Sequence, residues 1–122
     1  MTVHGVCAQL RTTDLEGSIE FYVKKLGFEL EFRFSDFYAG IKAGTQVFHL
    51  KLVDSPEPSI EFVSAGEHFH LLFVIDEVDS TAAELTERGV ELFRAPQNTD
   101  WGTRDFYVRD DQGHTLCFSQ DM

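Results

Sequence analysis

Cysteine is scarce in this chain. Only Cys7 and Cys117 occur among 122 residues, too few for a disulfide framework, and no close-spaced Cys or His pair forms a local metal-binding motif. Basic residues are also few, with 10 Lys and Arg against 21 Asp and Glu and a net charge of −11. Phosphate binding needs clustered cations, so nucleic acid is excluded as a partner. No apolar run approaches the roughly 20 residues that cross a bilayer, and the N-terminus lacks a charged region followed by an apolar stretch. A soluble, cytoplasmic protein with no membrane partner is expected. Walker loops, dinucleotide fingerprints and Ser-His-Asp patterns are absent too.

What the chain does have is apolar bulk: 43% hydrophobic residues, including 12 Phe. One domain of this length supports a packed core without covalent staples. The strongest local pattern is Trp101 to Gln120. Phe106-Tyr107-Val108 is β-forming, Asp110-Asp111-Gln112-Gly113 supplies a turn, and Thr115-Leu116-Cys117-Phe118 resumes the strand. Leu116 and Phe118 fall on one face, Thr115, Cys117 and Ser119 on the other.

The rest follows in order. Val6 to Leu10 alternates as a half-buried strand. Thr13 and Glu16 fit a capping box, and Leu15, Ile19, Tyr22 and Leu26 follow at helical spacing until Gly27. Strands are predicted for Phe28 to Phe34, Phe37 to Ile41 and Val47 to Val53. Residues 54–59 hold two of the three prolines and read as a linker. Ile60 to Val63 is assigned to a short strand and His68 to Ile75 to another. Asp79 is assigned as the cap of a helix over Ser80 to Arg88, which carries Ala82 and Leu85 and stops at Gly89. Val90 to Phe93 is a strand, and Arg94 to Asp100 a polar loop. The order βαβββ therefore occurs twice, in module one (3–53) and module two (60–120). An α+β fold is expected, with one helix on one face of each sheet.

The first and last strands of each module carry Cys7, His49, His70 and Cys117, each opposite an apolar face. Thiolate and imidazole are ligands for zinc and related metals. Singly, each reads as an ordinary packed or hydrogen-bonded residue; as a matched set of four they form a candidate metal site. A closed tetrahedral Cys/His site on zinc would be structural rather than catalytic. His68 shares a face with His70 and is placed on a cleft rim. Trp101 is a candidate stacking residue, Arg104 a candidate partner for an anion or an internal carboxylate. His4 is expected to fray with the terminus, and His114, after a turn glycine, to be exposed.

Two stretches carry a resemblance. Asp14-Leu15 through Ser18-Ile19-Glu20-Phe21-Tyr22 and Leu26-Gly27-Phe28 is one; Trp101-Gly102-Thr103-Arg104-Asp105-Phe106 with Asp110-Asp111-Gln112-Gly113 is the other. Through them the chain resembles the vicinal oxygen chelate superfamily: glyoxalase I, extradiol dioxygenases, fosfomycin-resistance enzymes and bleomycin-resistance proteins. The resemblance implies paired βαβββ modules whose mixed sheets form a cup, a homodimer, and metal positions at Cys7, His49, His70 and Cys117. It also implies a small-molecule ligand, with His68, Trp101 and Arg104 as candidate contacts. Where a glyoxalase or dioxygenase carries Glu on the closing strand, this chain has Cys117. Two activities are implied. One is a lyase or dioxygenase-like enzyme dependent on a divalent metal (Zn, Mn, Ni or Fe). The other is a metal-free protein that sequesters a cationic or aromatic compound.

Overall fold

The computed structural model describes residues 1–122. The chain forms two compact units, Met1–Glu57 and Pro58–Met122. The first runs β1 (Gln9–Thr12), α1 (Leu15–Glu20), a π-helical turn (Phe21–Lys25), β2 (Glu29–Phe34), β3 (Tyr38–Ala43) and β4 (Gln46–Leu52). The second runs α2 (Pro58–Ala65), β5 (Leu71–Val74), α3 (Val78–Glu87), β6 (Leu92–Asn98), β7 (Thr103–Arg109) and β8 (Thr115–Asp121). Each unit holds one four-stranded mixed sheet, in the orders β1-β4-β3-β2 and β5-β8-β7-β6. The outermost pair in each is parallel (β1 with β4, β5 with β8) and the remaining pairs are antiparallel. The predicted α+β class and the repeated βαβββ order are therefore the architecture.

In the first unit the helix packs on the apolar face of its sheet. Leu15, Tyr22 and Leu26 meet Ala39, Ile41, Phe48 and Leu50, all buried. Tyr22 is edge-on to Phe48 at 5.1 Å between ring centroids. The cap is Asp14 rather than the expected Thr13: its carboxylate accepts the Gly17 N–H at 3.0 Å. The Thr12 hydroxyl sets this by accepting the Asp14 N–H at 3.0 Å and bonding Ser18 at 2.7 Å, which fixes the entry turn one residue later. Ser18 takes the fully buried place, so Ile19 is only half-buried.

In the second unit Val78, Ala82 and Leu85 pack with Val90, Phe106, Val108, Leu116 and Phe118. Phe118 stacks on Phe106 at 4.9 Å and on Phe73 at 5.1 Å. Several expectations change here. Residues 60–63 are helical, because Pro58 opens a helix where its missing N–H costs nothing. Helix α3 begins two residues before the expected Ser80, at Val78, whose N–H is held by the Gln120 side chain at 2.8 Å. Asp79 therefore lies in the first turn, and Glu77 is the cap. Residues 94–98, expected as loop, belong to β6; Pro96 and two register shifts hide the alternation, and Pro is tolerated because this is an edge strand. Strand β5 begins at Leu71, so His68 and His70 precede it, and β1 begins after Cys7.

Candidate functional site

Each sheet has a second face, turned away from its helix. On the first sheet the register brings Tyr38 opposite Lys51, Gly40 opposite His49 and Lys42 opposite Val47. Phe32 lies next to Gly40 in β2. A Cβ at Gly40 would stand 2.1 Å from the Phe32 ring, so the absence of a side chain is what lets that ring lie across the strand. Phe32 then stacks on Tyr38 at 6.3 Å and meets His49 edge-on at 5.3 Å. Phe34 and Phe37 extend the group at 5.7 Å from each other, with Phe37 6.4 Å from Tyr38.

A short polar chain fixes the platform. Gln9 Nε2 donates to the Tyr38 hydroxyl at 3.1 Å, and that hydroxyl lies 2.9 Å from His49 Nδ1. Phe34 is 64% exposed and Phe37 43%. Several adjoining aromatic rings left open to solvent are unusual, because apolar side chains of this size ordinarily close over one another.

The second sheet has a polar centre. Tyr107 pairs with Cys117 and Asp105 with Ser119 across β7 and β8. All four are buried. Ser119 donates to Asp105 at 2.6 Å. Burial pushes the Cys117 thiol up to about 12, reinforced by the charge of Asp105. Burial likewise raises the Tyr107 phenol, with the Cys117 charge adding to it. Both groups hold their protons at neutral pH. The Arg94 guanidinium lies 4.8 Å from the Tyr107 ring centroid, a cation–π distance. Beside it, Arg94, Tyr107, Asp105 and the β6–β7 turn border a cavity of about 210 Å³. That turn is tied by Thr99 and Thr103, hydroxyl to hydroxyl at 2.9 Å and Thr99 N–H to Thr103 carbonyl at 2.8 Å, with Gly102 at φ +92°.

The residues singled out in the sequence are distributed as follows. Cys7 is exposed ahead of β1. His49 sits in the aromatic platform. His70 Nδ1 accepts the Thr115 N–H at 3.1 Å, and its Nε2 is 3.3 Å from the Ser59 hydroxyl. Its ring meets His114 edge-on at 4.9 Å. Cys117 is at the centre of the second sheet. Cys7 and His49 thus belong to one unit and His70 and Cys117 to the other, and within neither unit do three His, Cys, Asp or Glu side chains group as metal ligands. His68 is exposed. Trp101, on the tied turn, is 75% exposed and borders the cavity. Arg104 is held by both carboxylate oxygens of Asp79, at 2.9 to 3.2 Å, and by Asn98 at 3.0 Å.

His114, expected to be exposed, is buried. Asp110 explains this: its carboxylate bonds His114 Nδ1 at 2.7 Å and accepts the His114 and Gln112 N–H groups at 2.8 and 3.0 Å. This partner offsets the cost of burying Nδ1, while Nε2 is buried without a hydrogen-bond partner. The aromatic platform and the Arg94–Tyr107 pair were not singled out from sequence. The available signal was the Phe32/Phe34 spacing in β2, which places both rings on one face.

A family model described as the Glyoxalase/Bleomycin resistance protein/Dioxygenase superfamily matches residues 4–118. No curated protein matches the sequence. Solved structures share the fold. TioX from Micromonospora sp. ML1 is 21% identical, covering 97% of this chain and 96% of its own, with a TM-score of 0.73. Lactoylglutathione lyase from Agrobacterium tumefaciens is 18% identical, covering 98% and 96%, with a TM-score of 0.74. A bleomycin-binding protein in complex with bleomycin is 17% identical, covering 98% and 100%, with a TM-score of 0.77.

Proposed function

Because the chain belongs to the Glyoxalase/Bleomycin resistance protein/Dioxygenase superfamily, we propose that it is a binding protein for a flat aromatic small molecule, held on the open face of the first sheet. One observation carries this: Phe32, Phe34, Phe37 and Tyr38 form a continuous, partly exposed ring surface whose centre is fixed by Gln9 and His49. Fixed rings offer a ligand stacking at little entropic cost. The chain's net charge of −11 favours the approach of cations. Locally, Lys42 and Lys51 share the face of Tyr38, so aromatic character rather than positive charge is the selected property. The bleomycin complex of a structural relative is consistent with binding by this fold.

Calorimetric titration with 2-naphthoate and with ethidium tests the proposal. Saturable binding of 2-naphthoate is expected, weakened about tenfold in the Phe34→Ala/Phe37→Ala double variant, a loss of about 1.4 kcal/mol. Gly40→Ala should weaken it as well, since the added methyl displaces Phe32. Absence of binding by both compounds, or unchanged binding in the double variant, would overturn the proposal.

Metal-dependent chemistry is the second reading, prompted by likeness to a lactoylglutathione lyase, with Cys7, His49, His70 and Cys117 as ligands. The geometry constrains how these donors could serve. His49 and His70 each have Nδ1 engaged, by the Tyr38 hydroxyl and by a backbone N–H, so Nε2 is the atom each would offer, and the buried Cys117 thiol would have to lose its proton to ligate. Metal content after incubation with zinc, manganese or nickel separates the readings. Stoichiometric uptake that is lost in His49→Ala/His70→Ala would favour the enzyme. A homodimer belongs to the proposal too, and sedimentation at micromolar concentration tests it.

A further inference from the structure

The cavity of about 210 Å³ in the second unit lies below the roughly 300–1,000 Å³ of drug-sized sites. Its charges are specific. Arg94 is the one cation in its wall, alongside Asp100 and Asp105. The neighbouring Arg104 is already paired with Asp79 and bonded to Asn98. Arg94, by contrast, lies over the Tyr107 ring, and none of the salt bridges includes it. A guanidinium has five N–H donors, so its capacity for a planar oxyanion is unspent. Asp105 is 5% exposed, and its hydrogen bonds come from the Ser119 hydroxyl and the Cys117 thiol, both neutral donors. A buried carboxylate without a cationic partner is costly.

These charges discriminate among ligands. A simple anion that reached Arg94 would meet two carboxylates; a simple cation that reached Asp105 would meet Arg94. A small molecule carrying both charges satisfies each. We propose that this cavity binds a zwitterion of amino-acid size, its carboxylate on Arg94, its ammonium on Asp105, and its side chain against Trp101. Asp100 lies at the same turn and adds to the field that favours the ammonium. The residues that line this cavity all belong to the second unit.

Trp101 is the single tryptophan of the chain and borders the cavity, so its emission reports occupancy directly. The intact protein is titrated with L-phenylalanine and with two analogues that each lack one charge, phenethylamine and 3-phenylpropionate. L-Phenylalanine should change the emission saturably, and each analogue should bind at least about tenfold more weakly. Arg94→Gln, at a half-buried position that leaves the core intact, should weaken L-phenylalanine about tenfold while leaving phenethylamine no weaker. Asp105→Asn, if it folds, should reverse that preference and retain 3-phenylpropionate. The absence of a saturable change up to about 10 mM, analogues binding as well as L-phenylalanine, or wild-type affinity in Arg94→Gln would each overturn the proposal.

Discussion

The two sheets are built on one plan and finished differently. In the first, the central strands β3 and β4 bury Ala39, Ile41, Phe48 and Leu50 while Tyr38, Lys42, His49 and Lys51 remain partly exposed. In the second, residues 105–108 of β7 and 115–119 of β8 are buried on both faces. The matched positions show what this changes. Gly40 faces His49 in the first sheet, and Tyr107 faces Cys117 in the second. Phe32 lies over Gly40, and Arg94 lies over Tyr107. An open face can be covered with aromatic rings, because exposed apolar surface costs stability but leaves no polar group unsatisfied. A buried face that carries Asp105, Cys117, Tyr107 and Ser119 has to find polar partners internally, as Ser119 does at Asp105, and the Thr115 hydroxyl on that face is left without one. The same fold therefore offers one surface suited to stacking and one suited to charge recognition.

The largest test of this contrast is truncation. Phe106→Ala, fully buried and stacked on Phe118, should cost about 3–5 kcal/mol of unfolding free energy. Phe34→Ala should stay within about 0.5 kcal/mol, since its ring is 64% exposed. Urea unfolding measures both, and comparable losses would mean that the first face is core rather than surface.

The two thiols sharpen the contrast further. Cys7 is exposed and Cys117 buried, so a thiol reagent should modify one cysteine in the native protein and two after denaturation. The thiol of Cys117 is pushed from 9.0 to about 12 in the fold. Its protonated form is thus the one the fold favours. The corresponding stability is complete below pH 9, where the unfolded thiol is also protonated, and is lost as pH rises from 9 towards 12. Urea midpoints across that range should decline, and Cys117→Ala should reduce the decline while Cys7→Ser leaves it unchanged; the raised Tyr107 phenol accounts for the remainder above pH 10. A decline undiminished in Cys117→Ala would refute the assignment.

The smallest effects concern a feature the units share. Glu16 in the first turn of α1 pairs with Arg33 of β2, and Asp79 in the first turn of α3 pairs with Arg104 of β7. Hydrogen bonding to the arginine lowers each carboxyl below its ordinary value. Each contribution is present above the unfolded carboxyl pKa and is lost as pH falls through the folded one. Both pairs are solvent-exposed, so Glu16→Gln and Asp79→Asn should shift thermal midpoints slightly, and less at high salt. A shift insensitive to salt would show that the lost energy is not electrostatic.

How much could be read from the chain depends on the range of each interaction. Alternation placed Phe48 and Leu50 on a face opposite His49, and Leu116 and Phe118 opposite Cys117, because residue order along a strand decides which side a group takes. Helical spacing and Gly27 likewise located α1, and the repeated βαβββ order and the family followed from the sequence itself. What lay across the strands was not legible. That Gly40 receives Phe32, that Tyr38 binds His49, and that Arg94 covers Tyr107 depend on the register between strands, and a shift of one residue would change every partner. The turn glycine before His114 marks surface in the sequence; only the fold brings Asp110 to its Nδ1 and holds the ring inside. The sequence by itself determined which face each residue could occupy, through local periodicity. The tertiary structure alone decided which faces stay open and which polar groups meet, because those outcomes depend on pairing between segments distant in the chain.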